Sequence, residues 1–140
     1  MSRIFWDTNL FIYLFEGSGT LAKQVAHLRR RMVERGDQLL TSTMSLGEVL
    51  VKPIQLGDQK AAANYEKAMK SAALVVSFDE KAALIYARLR GERTIRPPDA
   101  IQLACASAAG VDLFITNDAN LHSRKFAGIQ FIAPLDRVPI

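Results

Sequence analysis

Short runs rich in β-branched and aromatic residues alternate with helical patterns along the chain, and that alternation restricts the fold more than any other feature. A strand followed by a helix and another strand makes a βαβ unit, whose strands lie parallel. The predicted strands are residues 3–6, 38–42, 74–78, 113–116 and 129–132. A short apolar helix follows Asp7-Thr8-Asn9 and reaches about Glu16, where Gly17-Ser18-Gly19-Thr20 breaks the chain. Leu21, Val25, Leu28 and Met32 then recur at helical spacing up to Gly36. Thr43 is expected to cap a helix that carries Glu48 and stops at Pro53. Asp58 is expected to cap an alanine-rich helix to about Ser71, and Asp79 a helix over residues 80–90. Pro98 and Asp99 open a last helix that ends near Ala109. No repeat, low-complexity tract or linker interrupts this order. The expectation is one α/β domain over residues 1–140, built on a parallel sheet.

The 140 residues are 49% hydrophobic and 23% charged, enough apolar surface for a core and too little net charge for a disordered chain. Cys105 is the sole cysteine, so an internal disulfide and a cysteine-rich zinc site are excluded. No apolar run has the length of a membrane span, and the N-terminus lacks the apolar stretch and cleavage site of a signal peptide. The expected address is the cytoplasm. A formal charge of +4 suits a polyanionic partner, and equally suits a merely soluble basic protein.

Ligands of open parallel sheets gather beyond the carboxyl ends of the strands. Asp7 directly follows the first predicted strand, Glu48 lies early in the helix after the second, and Asp118 follows the fourth. Asp99 opens the helix leading into the fourth strand. Helix direction alone would send it to the other edge, unless Pro97-Pro98 and the preceding loop carry the chain back over the top. Ionised carboxylates crowd together only when a cation offsets their repulsion. Mg²⁺ and Mn²⁺ prefer oxygen ligands and, once bound, activate water and steady charge on a phosphodiester. Asn9, Thr116 and Asn117 would then be hydrogen-bonding groups that orient the carboxylates. Each acid also has a plainer use, since an Asp at a strand–helix junction commonly caps the helix and Glu48 can simply face solvent. Asp37, Asp58, Asp79 and Asp112 are assigned only to turns and caps.

At Asp7-Thr8-Asn9, Glu48, Pro98-Asp99-Ala100 and Thr116-Asn117-Asp118 the sequence resembles the PIN-domain nucleases, and most of all their VapC toxin branch. The resemblance covers nearly the whole chain, in length, element order and the spacing of the four acids. It implies a parallel sheet flanked by helices on both faces, with the acids clustered at one end. It further implies a Mg²⁺- or Mn²⁺-dependent endoribonuclease, a homodimer, and a small antitoxin protein that blocks the site. The family's four acids map to Asp7, Glu48, Asp99 and Asp118, with Asp7, Asp99 and Asp118 as metal ligands and Glu48 as a further catalytic acid. The chain lacks a convincing nucleophile–base pair, so a water positioned by metal and carboxylates is the expected attacking group on an RNA phosphate.

Arg93 and Arg96 precede Asp99 and are expected to hold a phosphate beside the metal. The basic helix with Lys23, Arg29, Arg30, Arg31 and Arg35 reads first as a solvated face. His27 and His122 are taken as surface residues, Cys105 as core, and Trp6 and Phe11 as packing groups beside Asp7. Two other functions bear comparison with these residues. A receiver-type module with Asp79 as phosphoacceptor would need an acidic pair after the first strand and a lysine after a late one, and neither is present. A PIN-like domain that binds RNA without cutting it, or that serves RNA processing, keeps the same residues in other employment.

Overall fold

The sheet is wound outward in both directions from its central strand. The computed structural model describes residues 1–92 and 94–140. Its elements in chain order are β1 (Arg3–Trp6), α1 (Thr8–Glu16), α2 (Thr20–Arg35), β2 (Gln38–Ser42), α3 (Thr43–Gln55), α4 (Gln59–Ala72), β3 (Ala73–Val76), α5 (Glu80–Leu89), α6 (Pro97–Ala109), β4 (Val111–Ile115) and β5 (Ile129–Ala133). The strands lie in the order β3-β2-β1-β4-β5 with every pair parallel. β1 is flanked by β2 on one side and β4 on the other, so the winding reverses there and leaves a crevice beyond the carboxyl end of β1. Asp7 occupies that end.

Alternation along the strands divides the core in two. Ile4, Trp6, Leu39, Leu113 and Ile115 face one side and pack with Leu10 and Phe11 of α1, Val25, Leu28 and Met32 of α2, Val49 of α3 and Met69 of α4. Phe5, Leu40 and Phe114 face the other and pack with Ala82 of α5 and with Ala100, Leu103 and Ala104 of α6. Phe5 and Phe114 stack with ring centroids 5.1 Å apart. Small residues on α6 let it lie close to the sheet, which fixes the height at which its first turn meets the crevice. The result is the expected α/β fold, a parallel sheet with helices on both faces. Among the described residues no helix is long and apolar enough to cross a membrane.

Several boundaries differ from the sequence reading, among them β4, which runs from Val111 to Ile115 and not over 113–116. Ser42, not Thr43, caps α3, because Ser42 keeps the extended backbone of β2 while its hydroxyl oxygen accepts the Ser45 N–H at 3.1 Å. Thr43 is already helical. Pro53 does not stop α3 but sits inside it with its ring buried. The missing N–H removes one bond to the preceding turn, yet the next turn closes through Leu56 N–H to Lys52 O at 3.0 Å. The helix ends at Gln55, and Gly57 just beyond its cap has a φ of +69°, which suits a residue without a Cβ. β3 stops at Val76, which leaves Phe78 outside the strand.

Candidate metal centre

Asp7 is held from two sides. Its Oδ1 accepts the Thr8 N–H at 2.7 Å as the cap of α1, and its Oδ2 accepts the Thr116 hydroxyl at 2.8 Å. The pairing of Trp6 with Ile115 in neighbouring β1 and β4 sets these two residues side by side. Thr116 Oγ1 also accepts the Asp118 N–H at 3.1 Å, and Asp118 Oδ1 accepts the Asn120 N–H at 3.0 Å. Glu48 projects from the second turn of α3, where its Oε1 accepts the Thr8 hydroxyl at 2.7 Å.

Asp99 stands at the same edge, and the direction argument made from the sequence is corrected. A helix that feeds a parallel strand must end at that strand's amino end, so it starts at the carboxyl edge without any special loop path. α5 runs antiparallel to α6. Arg90 donates to the Ile95 carbonyl at 2.8 Å at one end of the pair, and Lys81 to the Ala108 carbonyl at 3.1 Å at the other.

Asp7, Asn9, Glu48, Arg96, Asp99 and Gln102 line one cleft of about 410 Å³. Burial, then a hydrogen bond with Asp118 and repulsion from its charge, push the Asp99 carboxyl up to about 6, with Asp7 adding to the rise. Arg96 opposes it, its Nε 3.5 Å from Asp99 Oδ2 and its Nη2 3.9 Å from Asp118 Oδ2. That guanidinium is 76% exposed, so water screens it and the negative charge is only partly offset. Arg93, named with Arg96 from the sequence, lies outside the described residues.

Of the three orienting residues expected, Thr116 bridges Asp7 and Asp118. Asn9 lines the cleft from the first turn of α1. Asn117 turns elsewhere: its Oδ1 accepts the Leu135 N–H at 3.0 Å and ties down the C-terminal segment. His122 is corrected from a surface residue to a half-buried one, whose ring Nε2 donates to the Thr116 carbonyl at 2.7 Å. Sequence reasoning also passed over Thr8, Ser42, Ser45 and Gln102, all buried behind the acids. The one available signal was a glutamine in an otherwise apolar stretch of α6, a single turn after Asp99.

The remaining acids have structural partners. Asp37 accepts Ser2 N–H at 2.7 Å and pairs with Arg35 at 2.9 Å. Asp112 accepts Arg3 N–H at 2.8 Å, and Asp58 and Asp79 cap α4 and α5. Asp79 therefore has the employment of a cap. Cys105 is fully buried, and burial first, then Asp79, raises its thiol to about 11. Trp6 and Phe11 pack together in the core at 5.1 Å.

Among the described residues no three Asp, Glu, His or Cys side chains close round a single ion position. Mg²⁺ is commonly held by only one or two carboxylates and several waters. The all-oxygen donor set and the partly uncompensated Asp99–Asp118 contact fit such a hard cation.

The PIN domain family matches residues 4–127, a span that contains all four acids. Comparison with functionally curated proteins returns no significant match. Among solved structures, VapBC2 from Rickettsia felis, bound to a DNA fragment from its promoter, aligns with a TM-score of 0.75 at 14% identity, over 94% of this chain and 98% of that one. DNA-bound VapBC from Salmonella typhimurium gives 0.71 at 22% identity over 96% and 99%. VapBC-1 from nontypeable Haemophilus influenzae gives 0.69 at 15% identity, again over 96% and 99%. At these identities the structural likeness is one of fold, and the family match covers most of the sequence. The chain belongs to the PIN domain family.

Proposed function

We propose that this protein is a Mg²⁺- or Mn²⁺-dependent endoribonuclease, acting in the cytoplasm as the toxin of a toxin–antitoxin pair. The reading is carried by the acidic cleft: Asp7, Glu48 and Asp99 line one crevice, and the Arg96 guanidinium reaches both Asp99 and Asp118 at its rim. In this reading Asp7, Asp99 and Asp118 hold the metal, and Glu48 orients the attacking water. When bound, the metal supplies Lewis acidity and neutralises charge at the phosphodiester. Thr116 and the Thr8 N–H fix the Asp7 carboxylate in place for that work. Arg96, exposed at the rim, would leave its acidic neighbours to grip a substrate phosphate, the duty that the sequence also assigns to Arg93. Family membership and the fold shared with VapBC components support an antitoxin partner that covers the cleft, with the nuclease itself a homodimer over a single 1–140 domain.

Purified protein should cut RNA in Mg²⁺ or Mn²⁺ and stop in EDTA, while Asp7→Asn and Asp99→Asn fold normally and cut nothing. Full activity in either variant, free of contaminating nuclease, overturns the assignment. RNA affinity without any metal-dependent cleavage would select the non-catalytic reading. Sequencing of new RNA 5′ ends after induced expression, against Asp7→Asn, identifies the substrate and tests for growth arrest.

A further inference from the structure

A buried amide without partners destabilises a fold, so a glutamine that is 3% exposed must have its bonds accounted for. The Gln102 Oε1 accepts the Ser42 hydroxyl at 2.5 Å. Its Nε2 lies 2.6 Å from Ser45 Oγ, 2.9 Å from Thr8 Oγ1 and 3.4 Å from Asp7 Oδ1.

The direction of every hydrogen follows from the ends of this chain. At one end Ser42 Oγ accepts the Ser45 N–H and gives its own proton to Gln102 Oε1. At the other end Glu48 is acceptor only, so Thr8 gives it the hydroxyl proton. Thr8 Oγ1 must then accept from its other neighbours, the Ser45 hydroxyl at 2.8 Å and Gln102 N–H. Ser45, its proton given to Thr8, accepts from Gln102 in turn. All the donors run one way, out of the core toward Asp7 and Glu48. Bonds aligned in this manner strengthen one another where water is excluded.

We propose that Gln102 is a positioning residue that joins Asp7 and Glu48, from two different elements, into one oriented pair of carboxylates. The proposal rests on the metal-dependent reading of the cleft. Gln102 touches neither substrate nor metal in this scheme; it acts through Thr8, whose hydroxyl binds Glu48 and whose N–H binds Asp7, and it reaches Asp7 itself only by sharing one of its two amide hydrogens at 3.4 Å. A glutamate of the same shape would reverse the chain, since it brings acceptors where donors are needed.

Mn²⁺ binding, followed by the paramagnetic resonance of the free ion, tests this without reference to activity. Gln102→Met keeps the volume and removes the donors. With wild-type circular dichroism it should bind Mn²⁺ about tenfold more weakly, the lower range for losing a partner behind a metal ligand. In saturating Mn²⁺ its loss in kcat and that of Glu48→Gln should fall well short of multiplying in the double variant, because both act through one carboxylate. Wild-type Mn²⁺ affinity in folded Gln102→Met, or full multiplication of the two losses, overturns the proposal. Should Gln102→Met fail to fold, Thr8→Val cuts the link to Glu48 one bond further on, and its loss in kcat must likewise fail to multiply with that of Glu48→Gln; full multiplication there is equally fatal. A wild-type protein that takes up no Mn²⁺ overturns the metal reading and this proposal together, and is so distinguished from failure of the proposal alone.

Discussion

Burial and the Asp118 carboxylate push Asp99 up to about 6 from an ordinary 3.8, so at neutral pH the metal-free fold ionises a group that resists ionisation. For an acid whose folded pKa is raised, the stabilising contribution is complete below the unfolded value and is lost as pH rises through the folded one. The cost at neutral pH is about 1–3 kcal/mol, given roughly 1.4 kcal/mol per pKa unit and the partial offset from Arg96. Asp99→Asn should therefore melt above wild type in EDTA at pH 7.5, since an amide can donate to Asp118 without charge. The gap should close as pH falls to about 4, where the native acid is protonated. Equal melting at pH 7.5 would show that the crowding costs nothing. Cys105 behaves in the opposite sense, as a group kept silent. With its thiol buried and raised to about 11, it should resist iodoacetamide in native protein at pH 8 and react fully in denaturant, as mass spectrometry would record.

Among the elements, α3 and α4 have N-caps of different consequence. Asp58 caps α4 at an exposed position by accepting the Ala61 N–H alone. Ser42 caps α3 and also gives its proton to Gln102 in the core. Asp58→Ala should cost about 1 kcal/mol in urea denaturation, the ordinary value for a lost cap. Ser42→Ala should cost about 2–4 kcal/mol, because it also leaves a buried carbonyl without a donor. Similar midpoints for the two would place the Gln102 bond outside the energetics of the fold. The same contrast marks what a sequence can reveal. The Asp58 and Asp79 caps, the five strands and the acids after β1 and β4 are local signals, written in neighbouring residues. Ser42 was misread because Ser and Thr stand together at the junction, and only backbone direction tells which is still extended. Pro53 was misread because a proline's effect depends on how the following turn closes. Gln102 left only a weak signal, a glutamine in an apolar stretch, because its partners lie on β1–α1 and β2–α3, far away in the chain.

For the whole molecule, Asp7, Glu48, Asp99 and Asp118 come from four separate segments that meet only where the sheet reverses its winding. An unfolded chain has no such site, so a metal bound there stabilises the native state by mass action. Mn²⁺ at a hundred times its dissociation constant should add about 2.7 kcal/mol. For a chain of this length that is a rise in melting temperature on the order of 10 °C, reversed by EDTA. Asp7→Asn should melt close to metal-free wild type and show no rise at the same Mn²⁺ concentration. Asp58→Ala, which alters an exposed acid outside the crevice, should melt lower yet keep the whole shift. An equal shift in Asp7→Asn would mean that the cation acts on the surface at large. Loss of the shift in Asp58→Ala would mean that it binds away from the switch point of the sheet.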